Sequence, residues 1–413
     1  MSHIVILGAK PKSLINFRGD LIKSLVHTGH RVTAMSAPAE AEIVQGIQEL
    51  GAEFRSYPVN RRGLSPVQDM RTMLSLRRAF AELRPDIVLA YTIKPVIWGG
   101  LALSGRKDTR FYAMIEGLGY AFQEASWKRK LLNNIVSFLY KTSLKKAQKV
   151  IFLNPDNLKV FLSRHIIDES KSMIVDGIGI DLEKYSQTSL PLSAPVFLSI
   201  GRLLGEKGFR EFFQAAKQVK DKYPQARFQI LGGEDPSSDG ISLSEIKEWE
   251  EQGVVEYLGV TDDVRPYIAG CHVYVLASYY GEGLPRTIIE AMAIGRPIIT
   301  TDNVGCRETV DFGGRRSDVG GRMSDVGSRK SEIGRRRSDV GEGNEEESRC
   351  RIRQGKNGFL VPVKDPNSLA RAMECFIQEP ELAEKMGRES RRMAEERFDV
   401  RIINQQMMKI LGT

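Results

Sequence analysis

The sequence predicts an α/β protein built from two Rossmann-like parallel-sheet domains facing a cleft. Three observations predict it. Short apolar runs alternate with helical stretches through both halves of the 413-residue chain, the pattern of strand–helix–strand crossovers. A polar segment with two prolines, Ser186-Gln-Thr-Ser-Leu-Pro-Leu-Ser-Ala-Pro195, lies between the halves and reads as a linker. Glycine turns follow apolar runs in both halves, as at Gly8 and Gly201.

The first domain takes residues 1–190. Strands are expected at 3–7, 31–35, 86–90, 110–115, 149–153 and 172–175, with helices between them and the first helix from about 15 to 28. The second domain takes residues 191–390. Its strands fall at 195–201, 254–258, 273–278 and 297–301. A long helix from about 380 to 411 closes the chain, and residues 391–413 form its terminal part.

Composition narrows the class. A hydrophobic content of 41% is enough for two ordinary cores. No run of about 18 apolar residues occurs, so a membrane-spanning helix is not expected. The first residues enter a strand directly and lack the charged start and apolar core of a secretion signal. Four cysteines without CxxC spacing point to a reducing cytoplasm and no structural zinc. Five histidines without HExxH spacing, and no Asp-x-Asp at a strand end, give no expected metal site and no cofactor. Residues 1–190 hold 27 Lys and Arg against 17 Asp and Glu. That basic excess suits an anionic partner: a membrane surface, a diphosphate lipid or nucleic acid.

The most informative segment is Gly281-Glu-Gly-Leu-Pro-Arg-Thr-Ile-Ile-Glu-Ala-Met-Ala-Ile-Gly-Arg-Pro297. Pro285 can occupy the first position of a helix, which places Glu290 in the second turn and Glu282 in the loop before it. Strand-like runs flank the unit. Open α/β sheets bind ligands there, at a strand's carboxyl end facing a helix N-terminus. Carboxylates accept hydrogen bonds from hydroxyls, so two of them suit a ligand with hydroxyls at both ends, such as a nucleotide-sugar. A second motif runs Gly201-Arg-Leu-Leu-Gly-Glu-Lys-Gly208 after an apolar strand. Arg202 can bind phosphate bidentately and Lys207 acts as a point charge. Together they can neutralise a diphosphate without a metal.

In the first domain, Gly8-Ala-Lys-Pro-Lys-Ser-Leu-Ile-Asn-Phe-Arg18 follows the first strand without a dinucleotide fingerprint. Lys10, Lys12 and Arg18 around this turn suit an anionic acceptor; an ordinary strand-to-helix turn is the alternative. Glu116, Gly117 and Gly119 follow another strand, and the glycines permit close backbone approach. Next comes a helix in which Trp127, Leu131, Ile135, Phe138 and Leu139 share a stripe, with Lys128, Arg129 and Lys130 at its start. This suits an anionic bilayer surface. A core-facing helix with a solvated charged side gives the same pattern.

Residues 314–341 are four copies of a seven-residue unit, Gly-Arg-Arg-Ser-Asp-Val-Gly in the first copy. One apolar position per unit provides no coiled-coil seam. The stretch 311–354 is expected to be a solvated, disordered insertion. Interspersed acids and a lack of aromatics argue against nucleic-acid binding by it.

The paired-glutamate segment resembles the signature of glycosyltransferase family 4, retaining enzymes of the GT-B fold. The resemblance covers nearly the whole chain outside the insertion. It implies that Glu282 contacts the transferred sugar and Glu290 the ribose of the donor, with Gly283, Leu284 and Pro285 completing that loop. It further implies that Arg202 and Lys207, beside Gly201, bind the diphosphate. Asp262 falls in a loop that the family places near the nucleobase. The loops at Gly8 and at Glu116–Gly119 would then face the acceptor, and the chain's end would cross back to the first domain. Gly117-Leu-Gly-Tyr120, Asn154-Pro-Asp-Asn157 and Gly177-Ile-Gly-Ile-Asp181 are similar to members that extend lipid-linked sugars for O-antigen, capsule, exopolysaccharide or N-glycan assembly. Many family members carry a histidine in the loop around 113–120, and this chain has none there. The resemblance implies a UDP-sugar donor, a lipid-linked saccharide acceptor, and a cytoplasmic enzyme held at the inner face of the membrane. A UDP-sugar 2-epimerase of related architecture, or a non-catalytic nucleotide-sugar or nucleic-acid binder, is the alternative.

Overall fold

The computed structural model describes residues 1–60, 65–118, 127–237, 239–313 and 352–413, the side chains of 127–129 excepted. Gly119 and the repeats at 314–341 lie outside the described residues. The chain forms two compact units. Unit 1 comprises residues 1–186, 280–289 and 393–413, and unit 2 comprises 187–279 and 290–392.

Among the described residues, unit 1 is built on seven strands: β1 (His3–Leu7), β2 (Arg31–Ser36), β3 (Glu53–Ser56), β4 (Ile87–Tyr91), β5 (Arg110–Ile115), β6 (Ala147–Phe152) and β7 (Ser172–Ile174). They pair in parallel in the order β3-β2-β1-β4-β5-β6-β7. Helices cover both faces of such a sheet, so its central strands read as continuous apolar runs. All five residues of β4 are buried, for example. The order reverses between β1 and β4, and their carboxyl ends sit side by side, with Leu7 opposite Ala90. That is the ligand position of a doubly wound sheet. Strand β3 is not evident in the sequence. It is a four-residue edge strand whose residues are exposed or half-buried, so no apolar run marks it.

Unit 2 repeats the plan with β8 (Val196–Ile200), β9 (Arg227–Leu231), β10 (Glu256–Tyr257), β11 (Val273–Leu276), β12 (Ile298–Thr301), β13 (Arg353–Gln354) and β14 (Gly358–Val361). The order is β10-β9-β8-β11-β12-β14-β13, and among these described strands only β13 is antiparallel to its neighbour. Its core packs Phe197, Phe209, Phe212, Phe213 and Phe228 between sheet and helices.

Three sequence expectations change. The first helix is two, Pro11–Asn16 and Gly19–His27, broken where Arg18 turns inward. The closing helix is also divided: Glu381–Met393 ends in a π-turn at Ala394–Phe398, and Val400–Leu411 follows. The break lets Phe398 and Val400 bond the backbone of Ile180 (2.7 and 3.0 Å), and Asp399 caps the new helix through the Arg401 amide (2.8 Å). Finally, residues 311–313 and 352–354 are structured parts of unit 2. The buried Asn357 accepts from the Asp311 amide and donates to Thr309 O, each at 2.8 Å, while β13 pairs with β14.

Candidate active site

In unit 2, β8 ends at Ile200 and the chain turns through Gly201 and Arg202 into a short helical turn, Gly205–Lys207. That turn is stitched to the end of β11. The Glu206 carbonyl accepts from the Tyr279 amide (2.9 Å) and the Ser278 hydroxyl (3.2 Å). Gly208 has φ +79, and a Cβ there would overlap the Ala277 carbonyl, so only glycine fits. The close approach carries Arg202 and Lys207 to the carboxyl ends of β8 and β11, where the strand order of this sheet reverses. Gly201 is an ordinary turn position with room for a methyl group against Phe209.

Arg202 donates to Asp235 at 2.5 Å and leaves about half of its side chain exposed. Burial alone would raise the Asp235 carboxyl, but hydrogen bonds from Arg202 and Ser237 outweigh it and hold it below the usual range. Asp235 therefore stays ionised and orients the guanidinium. Lys207 is half-buried within its turn. Asp239 accepts from the Glu206 amide at 2.6 Å and braces the turn from the other side. Sequence reasoning missed Asp235 and Asp239, which come from the loop after β9 and are joined to the motif only in the fold. Asp262 is exposed in the turn after Gly259.

The helix Arg286–Ala293 starts one residue after Pro285, so Pro285 stands just before the helix rather than at its first position. Glu290 lies in its second turn and is buried.

Unit 1 holds the loop with Glu282 tightly. A Cβ on Gly283 would overlap the Glu116 carbonyl oxygen, and one on Gly117 would stand 3.2 Å from Gly281 O. The buried Asn154 donates to Glu282 O (3.2 Å) and Gly283 O (2.5 Å). Leu284 packs against Gly177 and the unit 1 core. Arg286 donates to Asn16 O and lies over the Phe17 ring at 5.1 Å. The structure therefore brings Glu116 and Gly117 together with Glu282 and Gly283, loops that the sequence assigned to acceptor and donor respectively.

Arg18 needs correction as an acceptor-facing cation. It is 2% exposed and forms an ion pair with Glu116. It stacks over Tyr91 at 4.4 Å and donates to Phe17 O at 2.8 Å. Its charge is spent internally, because a buried guanidinium needs a carboxylate partner. Lys10 is exposed on the turn after β1, and Lys12 is exposed on the helix Pro11–Asn16 that follows. Gly8 has no room for a side chain, since a Cβ would overlap Tyr91, whose phenol burial pushes up to about 12. Sequence reasoning also missed Thr92, at the carboxyl end of β4. It has φ +66 and ψ +160, and its buried hydroxyl has no hydrogen-bond partner among the described residues. Nothing in Tyr-Thr-Ile-Lys-Pro signals that conformation.

Two family descriptions match the chain: "Glycosyl transferase 4-like domain" over residues 16–159 and "Glycosyl transferases group 1" over residues 194–325. The N,N'-diacetylbacillosaminyl-diphospho-undecaprenol alpha-1,3-N-acetylgalactosaminyltransferase of Campylobacter jejuni is 30% identical over 311 residues, 72% of this chain and 80% of that protein. The UDP-Gal:alpha-D-GlcNAc-diphosphoundecaprenol alpha-1,3-galactosyltransferase of Escherichia coli is 25% identical over 62% of this chain and 68% of its own. Among solved structures, Anabaena HepE in complex with UDP superposes with a TM-score of 0.73 at 17% identity, covering 99% of each chain. Sucrose-phosphate synthase from Thermosynechococcus elongatus gives 0.72 at 19% identity, covering 99% of this chain and 98% of that one. These neighbours share the GT-B fold.

Proposed function

The chain belongs to the glycosyltransferases of GT-B fold, and from that premise we propose that it transfers a hexose or N-acetylhexosamine from a UDP-sugar to a polyprenyl-diphosphate-linked saccharide, with retention and without a metal. The observation that carries this reading is the Arg202–Lys207 turn at the carboxyl ends of β8 and β11. Two cations there can take up charge on a leaving diphosphate, and preorganised electrostatics of this kind is a large catalytic term. Glu290 holds the ribose and Glu282 the sugar, while Gly283, Leu284 and Pro285 shape that loop. Gly201 and Asp262 complete the donor side. Lys10, Lys12, Glu116 and Gly117, with the turn at Gly8, receive the acceptor.

Chemistry then needs no enzymic nucleophile. The acceptor hydroxyl oxygen bonds to the anomeric carbon on the face from which the carbon–oxygen bond to UDP breaks. The hydroxyl proton passes to the departing phosphate oxygen. The acceptor class follows the two bacterial relatives, whose names specify diphospho-undecaprenol substrates. A lipid acceptor places the enzyme at the inner membrane face as a peripheral protein.

The test is UDP release from a panel of UDP-hexoses and UDP-N-acetylhexosamines in EDTA, with and without a polyprenyl-diphosphate-linked sugar. Acceptor-dependent release from one donor is expected. Release that needs a divalent ion, or that proceeds equally without acceptor, overturns the reading; the second outcome favours an epimerase.

A further inference from the structure

We infer that Asn154 is a positioning residue that sets the place of Glu282, acting through the loop backbone and never touching the sugar. The inference rests on the donor role proposed for Glu282 and extends it to a residue that no part of that reading uses. Asn154 lies just beyond β6, at the N-cap of the helix Pro155–Ser163. Its Oδ1 accepts from the Asn157 amide at 2.8 Å. That bond fixes the orientation of the amide group, because a donor cannot face a donor. Nδ2 is therefore turned to the opposite side, where it meets the carbonyl oxygens of Glu282 and Gly283 at 3.2 and 2.5 Å. One buried side chain closes a helix and ties down two consecutive peptide groups of the glutamate loop.

The opposite side of the loop is closed as well. Gly283 lies against the Glu116 backbone so closely that no side chain fits, and Gly117 faces Gly281. Glu116 is itself anchored, since its carboxylate pairs with the buried Arg18. The loop is thus held between Asn154 and an Arg18-anchored backbone. Glu282 is half-buried, and its backbone is fixed by these contacts. A displacement of about an ångström in a positioned group can cost on the order of a hundredfold in rate. Loss of this clamp should therefore appear in turnover and leave the binding of UDP alone untouched.

Asn154→Ser separates the two tasks. Serine still caps a helix through its oxygen, and it has no group that reaches the two carbonyls. Asn154→Asp is the isosteric companion: it keeps the cap oxygen and presents an acceptor to both carbonyls. Wild type, both variants, Glu282→Gln and the double variants would be compared for UDP release with the donor and acceptor used above. Affinity for UDP alone and melting temperature would be measured in parallel. We expect either Asn154 variant to lower kcat by roughly ten- to hundredfold, with UDP affinity within about twofold of wild type. In the Glu282→Gln background the same substitution should add almost nothing, because coupled groups are strongly non-additive. Wild-type turnover in both Asn154 variants, or full multiplication of their loss with that of Glu282→Gln, overturns the inference and leaves the donor assignment standing. Wild-type turnover of Glu282→Gln sinks the donor assignment of Glu282, and the role of Asn154 with it. Loss of UDP affinity in parallel with turnover would make Asn154 a general structural residue and also overturn the inference.

Discussion

At the scale of single residues, Lys207 offers the sharpest separation of chemistry from fold. Its turn is held by Gly208 against Ala277, by the Glu206 carbonyl on Tyr279 and Ser278, and by Asp239 on the Glu206 amide. These contacts are made by the backbone of the turn and by residues around it, and they do not require a lysine side chain at 207. Lys207→Ala should therefore lower kcat by about a hundred- to a thousandfold, the range for removing one preorganised electrostatic contact. Melting temperature should stay within a few degrees of wild type. Activity near wild type would remove Lys207 from the diphosphate site. The motif itself was legible in the sequence, because glycines and cations at fixed spacing are local signals. The second layer was not. Asp235, Asp239 and Asn154 act on residues 33, 33 and 128 positions away, and that distance leaves no periodic trace. Arg18 shows the converse error. It reads as one more loop cation, and only the fold reveals Glu116 opposite it.

At the scale of elements, the helix Trp127–Ser143 has one face in the core and an apolar stripe on the outside. Val136 and Tyr140 are buried in the unit 1 core with Leu139 packed against it, while Leu131, Ile135 and Phe138 are 56%, 49% and 68% exposed. The outward stripe is apolar and is bordered by exposed Lys130, Lys141 and Lys145. The helix Pro66–Leu83 lies in the same layer, joined through the helix Ile93–Ala102. It also shows exposed apolar residues, Val67, Met70 and Leu74, beside exposed Arg71, Arg77 and Arg78. Apolar side chains next to cations fit an anionic bilayer surface, where burial and charge attraction add. No described helix is long and apolar enough to cross a membrane. Replacing Leu131, Ile135 and Phe138 together by Ser should weaken co-sedimentation with phosphatidylglycerol-containing vesicles by more than about tenfold, from apolar burial at roughly 1 kcal/mol or more per side chain. Release of UDP with a short-chain, water-soluble acceptor should be unchanged. Equal vesicle binding by the variant would assign the stripe to another role. Elements of this kind are well marked by periodicity. The edge strand β3, the break at Ala394–Phe398 and the two-residue β13 are not, because each is set by its neighbours and not by its own residues.

At the scale of the whole molecule, each unit carries one histidine that the fold keeps neutral, and this predicts how stability follows pH. In unit 1, His3 bonds Leu83 O at 3.0 Å and the Thr33 hydroxyl at 2.9 Å. In unit 2, His272 accepts from the Val196 amide at 3.1 Å through Nδ1, so Nε2 donates to Pro191 O at 3.0 Å. A proton on Nδ1 of His272 would face that amide donor. Burial is the main cause lowering both histidines below their usual value, and it outweighs the carbonyl each one bonds. The folded state therefore binds protons later than the unfolded chain as pH falls. Stability from both groups is complete above the unfolded value, about 6.5, and is lost as pH drops through that value toward the lower folded one. The depressed carboxyls Asp235, Glu256 and Asp311 lose stability in the same direction, but only below the ordinary carboxylate range. Asp20 and Glu211, raised by burial, act in the opposite sense. Between pH 7.5 and 5.5 the two histidines should therefore dominate the loss of melting temperature. His272→Gln keeps one acceptor and one donor without a titrating ring, and should flatten that slope; His3→Gln should flatten the remainder. If the units melt in separate transitions, each substitution should flatten only the transition of its own unit. A slope that both variants leave unchanged would show that other groups control the acid limb.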